Sequence, residues 1–171
     1  MGYTHYWTPK VVTEEKFAEF SKTCKKLHDN LPNTSKTAGG YHSNETIEIC
    51  GWDGTGKPEF SDVMVSFNGN QDKDLDHETF NVQADKTEWN FCKTARKPYD
   101  LLVCACLIAA HEQLDYEVSS DGDLEDWKDA IEFYMDTIKN TKSIFASTKK
   151  KLANKILPEF LVNELNGIEE D

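Results

Sequence analysis

The feature that most constrains this chain is an uninterrupted apolar run, L-L-V-C-A-C-L-I-A-A, at residues 101–110. The surrounding residues from Tyr99 to Leu114 contain no Gly or Pro, so the segment predicts a helix over 99–114. A helix that is apolar on every side has to be buried rather than laid on a surface. Ten residues rise only about 15 Å, half of a ~30 Å hydrocarbon core, so we expect the central helix of a folded domain and not a membrane span.

The start of this helix carries an unusual concentration of positive charge. Pro98 suits the first helical position and Asp100 the first turn, but Lys93, Arg96 and Lys97 come just before them. The free N–H groups at a helix start already need acceptors, and the added cations increase that need. The pattern therefore predicts a negative group at this point. Two sources stay open: an external anion such as a phosphate, or a carboxylate of this acidic chain.

Composition narrows the class of protein. The 171 residues suggest one domain, and the net charge of −12 disfavours coating of nucleic acid or of an anionic membrane. The five cysteines are odd in number and widely spaced, and two lie in the apolar run, which favours reduced thiols over a disulfide framework. The N-terminal M-G-Y-T-H-Y-W lacks the features of a signal peptide. We therefore expect a soluble cytoplasmic protein, located in the host cytoplasm if it is viral.

Hydrophobic periodicity predicts the order β-α-β-β-β-α-β-α. The strands are expected at residues 3–8, 46–50, 63–67, 78–82 and 116–120, and the helices at 14–31, 99–114 and 123–138, with a loop at 32–45 and a turn at Asn68-Gly69. Three consecutive strands with short connections favour an antiparallel sheet, so we predict an α+β fold with the helices packed on one face. Residues 1–140 are predicted to form a single α+β domain. Residues 141–171 are predicted to form a helical extension, with a helix over 149–157 and a frayed tail.

Two motif-like stretches do not carry the chemistry that their letters suggest. Gly51 to Lys57 matches a phosphate-binding loop, but Pro58 stands where a hydroxyl is needed, and a strand is predicted where that motif requires a helix. The alternating acids of 72–76 resemble a calcium loop, but His77 occupies the glycine position and strands flank the segment. The five histidines show no zinc-ligand spacing, so no metal or other cofactor is predicted.

Two residues are candidates for acid–base chemistry. Strand alternation places His5 on one face with Tyr3 and Trp7, where it is either a catalytic acid or base or a core histidine packed between aromatic rings. Glu78 is the second candidate, on the face that Phe80 shares.

Several blocks of this sequence resemble a family of small uncharacterised proteins from phage, other viral and bacterial genomes. These blocks are G-Y-T-H-Y-W, G-W-D-G-T-G, F-N-G, H-E-T-F and F-C-K-T-A-R-K-P-Y-D, and they span roughly residues 2–122. The resemblance implies a phage-type accessory protein acting on host nucleotides or host proteins. It transfers no activity.

Three functions follow as hypotheses. The first is a protein that sequesters a small anionic ligand, most plausibly a nucleotide, at the basic helix start. The second is a phosphoesterase or nucleotide hydrolase at the same site, with His5 or Glu78 as acid or base. The third is an inhibitor that masks a basic partner protein with its acidic surface. The predicted ligand-binding residues are Lys93, Arg96, Lys97, Tyr99, Trp7 and Asp121.

Overall fold

The computed structural model describes residues 2–35, 45–141 and 150–167 and has an α+β fold with antiparallel strands. The helices are α1 (Glu14–Asp29), α2 (Asp100–Leu114), α3 (Leu124–Ile138), α4 (Lys150–Ile156) and α5 (Glu159–Gly167). The strands are β1 (Thr4–Thr8), β2 (Ile49–Cys50), β3 (Glu59–Phe60), β4 (Met64–Gly69), β5 (Phe80–Gln83), β6 (Asn90–Lys93) and β7 (Glu117–Ser120). The predicted fold class is therefore confirmed.

Helix α2 is the centre of the hydrophobic core, as the sequence predicts. All residues from Leu102 to Ala110 are buried. Helices α1 and α3 pack against it, and both have the apolar stripe of a helix with one solvent face. Burial of α2 from several directions removes most of its apolar surface from water, which is a large hydrophobic contribution to folding.

The strands form two separate sheets instead of the single sheet that the sequence predicts. In the first sheet, β1 is the central strand and pairs antiparallel with β6 on one side and β7 on the other. His5 lies opposite Cys92 of β6 and Ser120 of β7 in this register. Because side chains alternate along a strand, one face of this sheet meets the core and the other meets solvent.

The second sheet is organised around β4. Strand β5 pairs antiparallel with one edge of β4, and the short strands β2 and β3 pair with β4 at its two ends. The predicted turn at Asn68-Gly69 is wrong, because both residues belong to β4. The buried Asn68 amide donates to the His77 carbonyl at 2.9 Å and to the Thr79 hydroxyl at 3.1 Å, so it replaces main-chain partners inside the sheet.

Other boundaries differ modestly from the prediction. The strand expected over 46–50 contracts to two residues, and the strand expected over 78–82 starts at Phe80, which leaves Glu78 outside it. Strand β6, with the residues N-F-C-K, is absent from the prediction. Most of the predicted loop, residues 36–44, and the predicted frayed tail, residues 168–171, lie outside the described residues.

The two C-terminal helices pack onto the rest of the fold. Helix α4 contacts α2, and α5 contacts α3 and β7. The fully buried apolar residues of this segment are Ala153, Ile156, Leu157, Leu161 and Leu165. The division into two parts at residue 140 stays a prediction, since residues 142–149 between α3 and α4 lie outside the described residues. Within the described ranges, no helix combines the length and apolarity needed to cross a membrane.

Truncation of the central helix should strongly destabilise the protein. Leu107 is fully buried on α2, and we expect Leu107→Ala to lower the free energy of unfolding by about 2–5 kcal/mol, because it removes buried methyl groups and leaves a cavity. Val11→Ala is the matched control, since Val11 is 89% exposed, and its effect should stay within about 0.5 kcal/mol. Urea unfolding of the two variants provides the comparison. Equal losses in both would contradict the central role of α2.

Candidate functional site

Arg96, the residue predicted to bind an external anion, is paired with a carboxylate of the chain itself. Its Nη1 donates to Asp126 Oδ1 at 2.7 Å, and the guanidinium carbon lies 4.0 Å from the centre of the Tyr3 ring. The other oxygen of Asp126 accepts the backbone N–H of Asp123 at the start of α3, at 3.0 Å. Arg96 therefore ties the approach of α2 to the first turn of α3.

Of the two lysines at this helix start, Lys97 also has acceptors within the chain. Lys97 donates to the backbone carbonyl of Asp74 at 2.6 Å, and its ammonium is 3.6 Å from the Asp74 carboxylate. The Lys93 side chain lies against Gly2, where an added Cβ would approach its Cε to 2.9 Å. The three cations contact different neighbours, namely Asp126, Asp74 and Gly2, and their convergence on one external anion stays a prediction. A carboxylate of this chain, the alternative that the sequence left open, takes the place of the anion at Arg96.

The N–H groups at the start of α2 have acceptors as well. The N–H groups of Asp100 and Leu101 donate to Lys97 and Pro98 carbonyls at 2.9 and 3.4 Å, and that of Leu102 donates to Tyr99 at 3.1 Å. These short-range bonds tighten the first turn and satisfy donors that an anion would otherwise contact. These N–H donors at the start of α2 thus have acceptors within the fold.

The loop that leads into α2 holds two consecutive residues in the left-handed backbone conformation. Ala95 has φ of 52° and Arg96 has φ of 60°. Side chains with a Cβ rarely adopt this region, and the cost is on the order of 1–3 kcal/mol for each residue. Such strain persists only where the surroundings fix the backbone, and it is concentrated at functional sites. Here the loop carries Thr94, whose hydroxyl donates to Asp100, and Arg96, whose guanidinium lies over the Tyr3 ring.

His5 lies at the centre of a buried hydrogen-bonded chain. Its Nδ1 is 2.7 Å from the Ser120 hydroxyl, and its Nε2 is 2.6 Å from the Asp100 carboxylate. The imidazole is fully buried, with the rings of Tyr3 and Trp127 in edge contact at centroid distances of 4.9 and 5.1 Å. Strand β1, helix α2 and strand β7 therefore each supply one member of a Ser120–His5–Asp100 relay.

The hydrogen-bond partners of Ser120 determine which atoms of this relay carry the protons. The backbone N–H of Gly122 and the indole N–H of Trp127 donate to Ser120 Oγ at 2.9 and 3.1 Å. Since a hydroxyl oxygen has two acceptor sites, its own proton is left to donate to His5 Nδ1. The ring proton is then on Nε2 and donates to Asp100. This assignment follows from hydrogen-bond accounting and gives every group in the relay a partner.

Asp100 is held by two further donors. The Thr94 hydroxyl donates to Oδ1 at 2.6 Å, and the Cys104 thiol lies 3.5 Å from Oδ2. Burial, followed by the negative charge of Asp100, raises the pKa of Cys104 well above its ordinary value, which keeps the thiol protonated. The donor atoms of His5, Asp100 and Cys104 lie within 4.8 Å of one another, a spacing that also suits a metal ion.

The proton assignment disfavours a cation at these three residues. A metal at His5 Nε2 would shift the ring proton to Nδ1, where Ser120 already accepts two N–H groups. The Ser120 hydroxyl proton would then lose its acceptor, which is costly for a buried group. The cluster is therefore complete as a hydrogen-bonded set.

The other predicted residues are separated from this relay or play different parts. Tyr99 is fully buried and its hydroxyl donates to the Glu78 carbonyl at 2.5 Å, so the hydroxyl is already paired within the fold. The Glu78 carboxylate accepts the backbone N–H of Lys93 at 2.6 Å, which fixes the end of β6. Asp121 accepts from the Thr4 N–H at 3.1 Å and from the Tyr6 hydroxyl at 3.0 Å, and so joins β1 to the end of β7.

The solvent face of the first sheet carries exposed aromatic side chains. Trp89 is 58% exposed and stacks on Tyr6 with ring centroids 5.8 Å apart, and Phe91, 46% exposed, lies 5.4 Å from Trp89. A groove of about 410 Å³ begins beside Trp89 and runs between β1, β7 and α5. We call it the aromatic groove; its lining includes Tyr6, Trp89, Glu117, Glu159, Phe160 and Asn163. Trp7 contributes to its floor but is itself 2% exposed.

Comparison with known proteins gives no further guidance, since no protein-family model, curated protein or solved structure matches the chain. The resemblance to small phage and bacterial proteins therefore stays a prediction.

The sequence contains only part of the information needed to predict the relay and the Arg96–Asp126 pair. It placed His5 on the inner face of β1, and Asp100 and Cys104 are four residues apart on α2, a spacing that puts them on one helix face. That spacing was the available signal. Ser120 and Asp126 are 115 and 30 residues away from their partners His5 and Arg96, and no local pattern reports such pairs.

The Arg96 pair generates a stability prediction. Arg96→Ala should lower the free energy of unfolding at neutral pH by about 1–2 kcal/mol, because it removes a partly exposed ion pair and a cation–π contact. Although burial raises the pKa of Asp126, hydrogen bonds from Arg96 and the Asp123 backbone outweigh it and hold this pKa below its ordinary value. A depressed carboxyl pKa stabilises the fold above the unfolded-state value and loses that effect as pH falls through the folded value.

The measurement is urea unfolding of the wild type and Arg96→Ala at neutral pH and below about pH 4, the ordinary range for an aspartate. The difference between the two proteins should be largest at neutral pH and should shrink in acid. A constant difference across this range would contradict the assigned role of the Asp126 carboxylate.

Proposed function

We propose that the chain is a protein-binding module whose aromatic groove takes a basic segment of a partner protein. The observation that carries this proposal is the exposed Trp89, stacked on Tyr6 beside a groove whose rim includes the carboxylates of Glu117 and Glu159. Large exposed aromatic side chains are uncommon on a soluble surface and are enriched where proteins bind one another.

The chemistry of the groove favours a cationic occupant. A Lys or Arg side chain is attracted to the face of a Trp or Tyr ring and can pair with a nearby carboxylate at the same time. Glu117 and Glu159 both line the groove, whereas none of its described lining residues is Lys or Arg. The net charge of −12 adds long-range attraction for a basic partner and accelerates the encounter.

The same observations weaken the hypothesis of a small anionic ligand. That hypothesis was motivated by unneutralised cations at the start of α2, and Arg96 and Lys97 have acceptors within the chain. An anion placed in the aromatic groove would meet two carboxylates instead. In the phage-type setting that the resemblance implies, the partner is a basic host factor whose surface the protein masks.

Two matched tryptophan variants test this function. Trp89 and Trp52 are both 58% exposed, but Trp52 lies in the turn at 52–54 that follows β2, away from the first sheet. We expect a Lys/Arg-rich peptide to bind the wild type and Trp52→Ala equally, and Trp89→Ala about tenfold more weakly, since a desolvated cation–π contact contributes up to ~2 kcal/mol. Isothermal titration calorimetry gives the affinities.

Charge and specificity provide the controls. Glu117→Gln should lower the affinity for the same peptide, and added salt should lower the affinity of the wild type. A Glu-rich peptide and a nucleotide panel should not bind. Equal peptide affinity of the two tryptophan variants would contradict the groove as the binding site. Tight binding of a nucleotide would return the function to a small anionic ligand.

A further inference from the structure

We infer that Ser120 is a nucleophile activated by His5 and positioned through Asp100, for the hydrolysis of carboxylic esters. This inference concerns the core side of the first sheet and is independent of the aromatic groove on its solvent side. It rests on the geometry of the relay, on the donors around Ser120 and on an unpartnered hydroxyl beside Gly122.

The geometry of the relay meets the requirements for an activated hydroxyl. A nucleophile has to lie within about 2.6–3.2 Å of its general base, and a third group has to orient that base. The separation of Ser120 Oγ and His5 Nδ1 is 2.7 Å, and that of His5 Nε2 and Asp100 Oδ1 is 2.6 Å. Serine-hydrolase triads join a hydroxyl, an imidazole and a carboxylate in this order. In this chain the hydroxyl is at Nδ1 and the carboxylate at Nε2.

The surroundings hold the base and the positioning residue in place. The Tyr3 and Trp127 rings contact the His5 imidazole, and the Thr94 hydroxyl donates to Asp100 from the strained loop before α2. Fixed side chains of this kind preorganise a reaction, since no reorientation is needed when charge develops on the imidazole.

Two N–H donors already point at the reacting oxygen. Gly122 N and Trp127 Nε1 lie 2.9 and 3.1 Å from Ser120 Oγ, on a half-buried residue at the end of the edge strand β7. Because both acceptor sites of Oγ are occupied, attack on a carbonyl carbon requires one of these N–H groups to leave Oγ, and the released donor can then stabilise the oxyanion that forms. The side chain of Asp100 is 19% exposed, so the relay has contact with solvent on the α2 side.

The Tyr3 hydroxyl is the independent observation. Tyr3 is 4% exposed, and its hydroxyl has no hydrogen-bond partner within the described part of the chain. The hydroxyl abuts Gly122, where an added Cβ would come within 2.4 Å of it. A buried donor without an acceptor is costly, and it indicates a polar group supplied from outside the chain. A carbonyl oxygen of a substrate beside Ser120 is such a group.

The reaction balances with water as the only co-reactant. The Ser120 Oγ–C bond forms as the hydroxyl proton passes to His5 Nδ1, and the carbonyl oxygen takes the negative charge. Collapse breaks the ester C–O bond, and the proton on Nδ1 goes to the departing alkoxide. Water then attacks the acyl-serine and gives its proton to His5, and Ser120 takes it back as the carboxylic acid leaves.

A fluorophosphonate probe tests the inference directly, because it forms a covalent adduct with activated serines. We expect mass mapping of the full chain to find the adduct on Ser120 and no adduct in Ser120→Ala. Ser119→Ala is the matched control and should label as the wild type does, since Ser119 is exposed on the opposite face of β7. Circular dichroism melts verify that each variant is folded.

Asp100→Asn tests the positioning residue, and it keeps the test meaningful if Ser120→Ala fails to fold. It should slow labelling of Ser120 by roughly 10²–10⁴-fold. The pH profile of the labelling rate separates positioning from packing: the variant should lose the pH dependence that the wild type shows. Absence of a Ser120 adduct in the folded wild type, or equal labelling of Ser119 and Ser120, would overturn the inference. Neither outcome bears on peptide binding at Trp89.

Discussion

Helix α2 has no side that tolerates water, and the rest of the chain is arranged to satisfy that constraint. Leu102 to Ala110 are buried without exception, so other elements have to cover this helix around its circumference. Helices α1, α3 and α4 provide part of the cover, and the sheet centred on β1 carries its buried face towards the same core. The polar residues at the start of α2 are then enclosed too. Asp100 is acceptable there because His5, Thr94 and Cys104 surround its carboxylate.

Much of the fold could be predicted because it depends on local periodicity. The alternation of residues 3–8 and the apolar run of α2 each identify an element, and the inward placement of His5 follows from the first of them. The division into two sheets could not be predicted, because pairing depends on contacts between distant segments. Strand β6 shows the difficulty: its residues pair with β1, which lies more than eighty residues earlier in the chain.

The candidate sites show the same difference between what local sequence predicts and what depends on distant contacts. The sequence indicates that the cations before α2 need a negative group, and that requirement is met. It cannot indicate that Asp126 meets it, because Asp126 is brought near only when α3 packs beside α2. Likewise, His5 was a candidate for acid–base chemistry, but its partners Ser120 and Asp100 come from elements far away in sequence. The type of a residue suggests which chemistry it can perform, but tertiary packing decides which residues come together to perform it.

Strand β1 presents Tyr6 to solvent and His5 to the core, and hydrogen bonds to Asp121 hold the strand in this register. The Thr4 N–H donates to Asp121, the Asp121 N–H donates back to the Thr4 carbonyl at 3.0 Å, and the Tyr6 hydroxyl reaches the same carboxylate. A slip by a single residue would exchange the two faces, exposing the imidazole and burying the phenol. The same hydrogen bonds to Asp121 therefore fix both the outer and the inner face of β1. Insertions or deletions within β1 cannot alter one side and spare the other, so the two surfaces are free to diversify only by substitution.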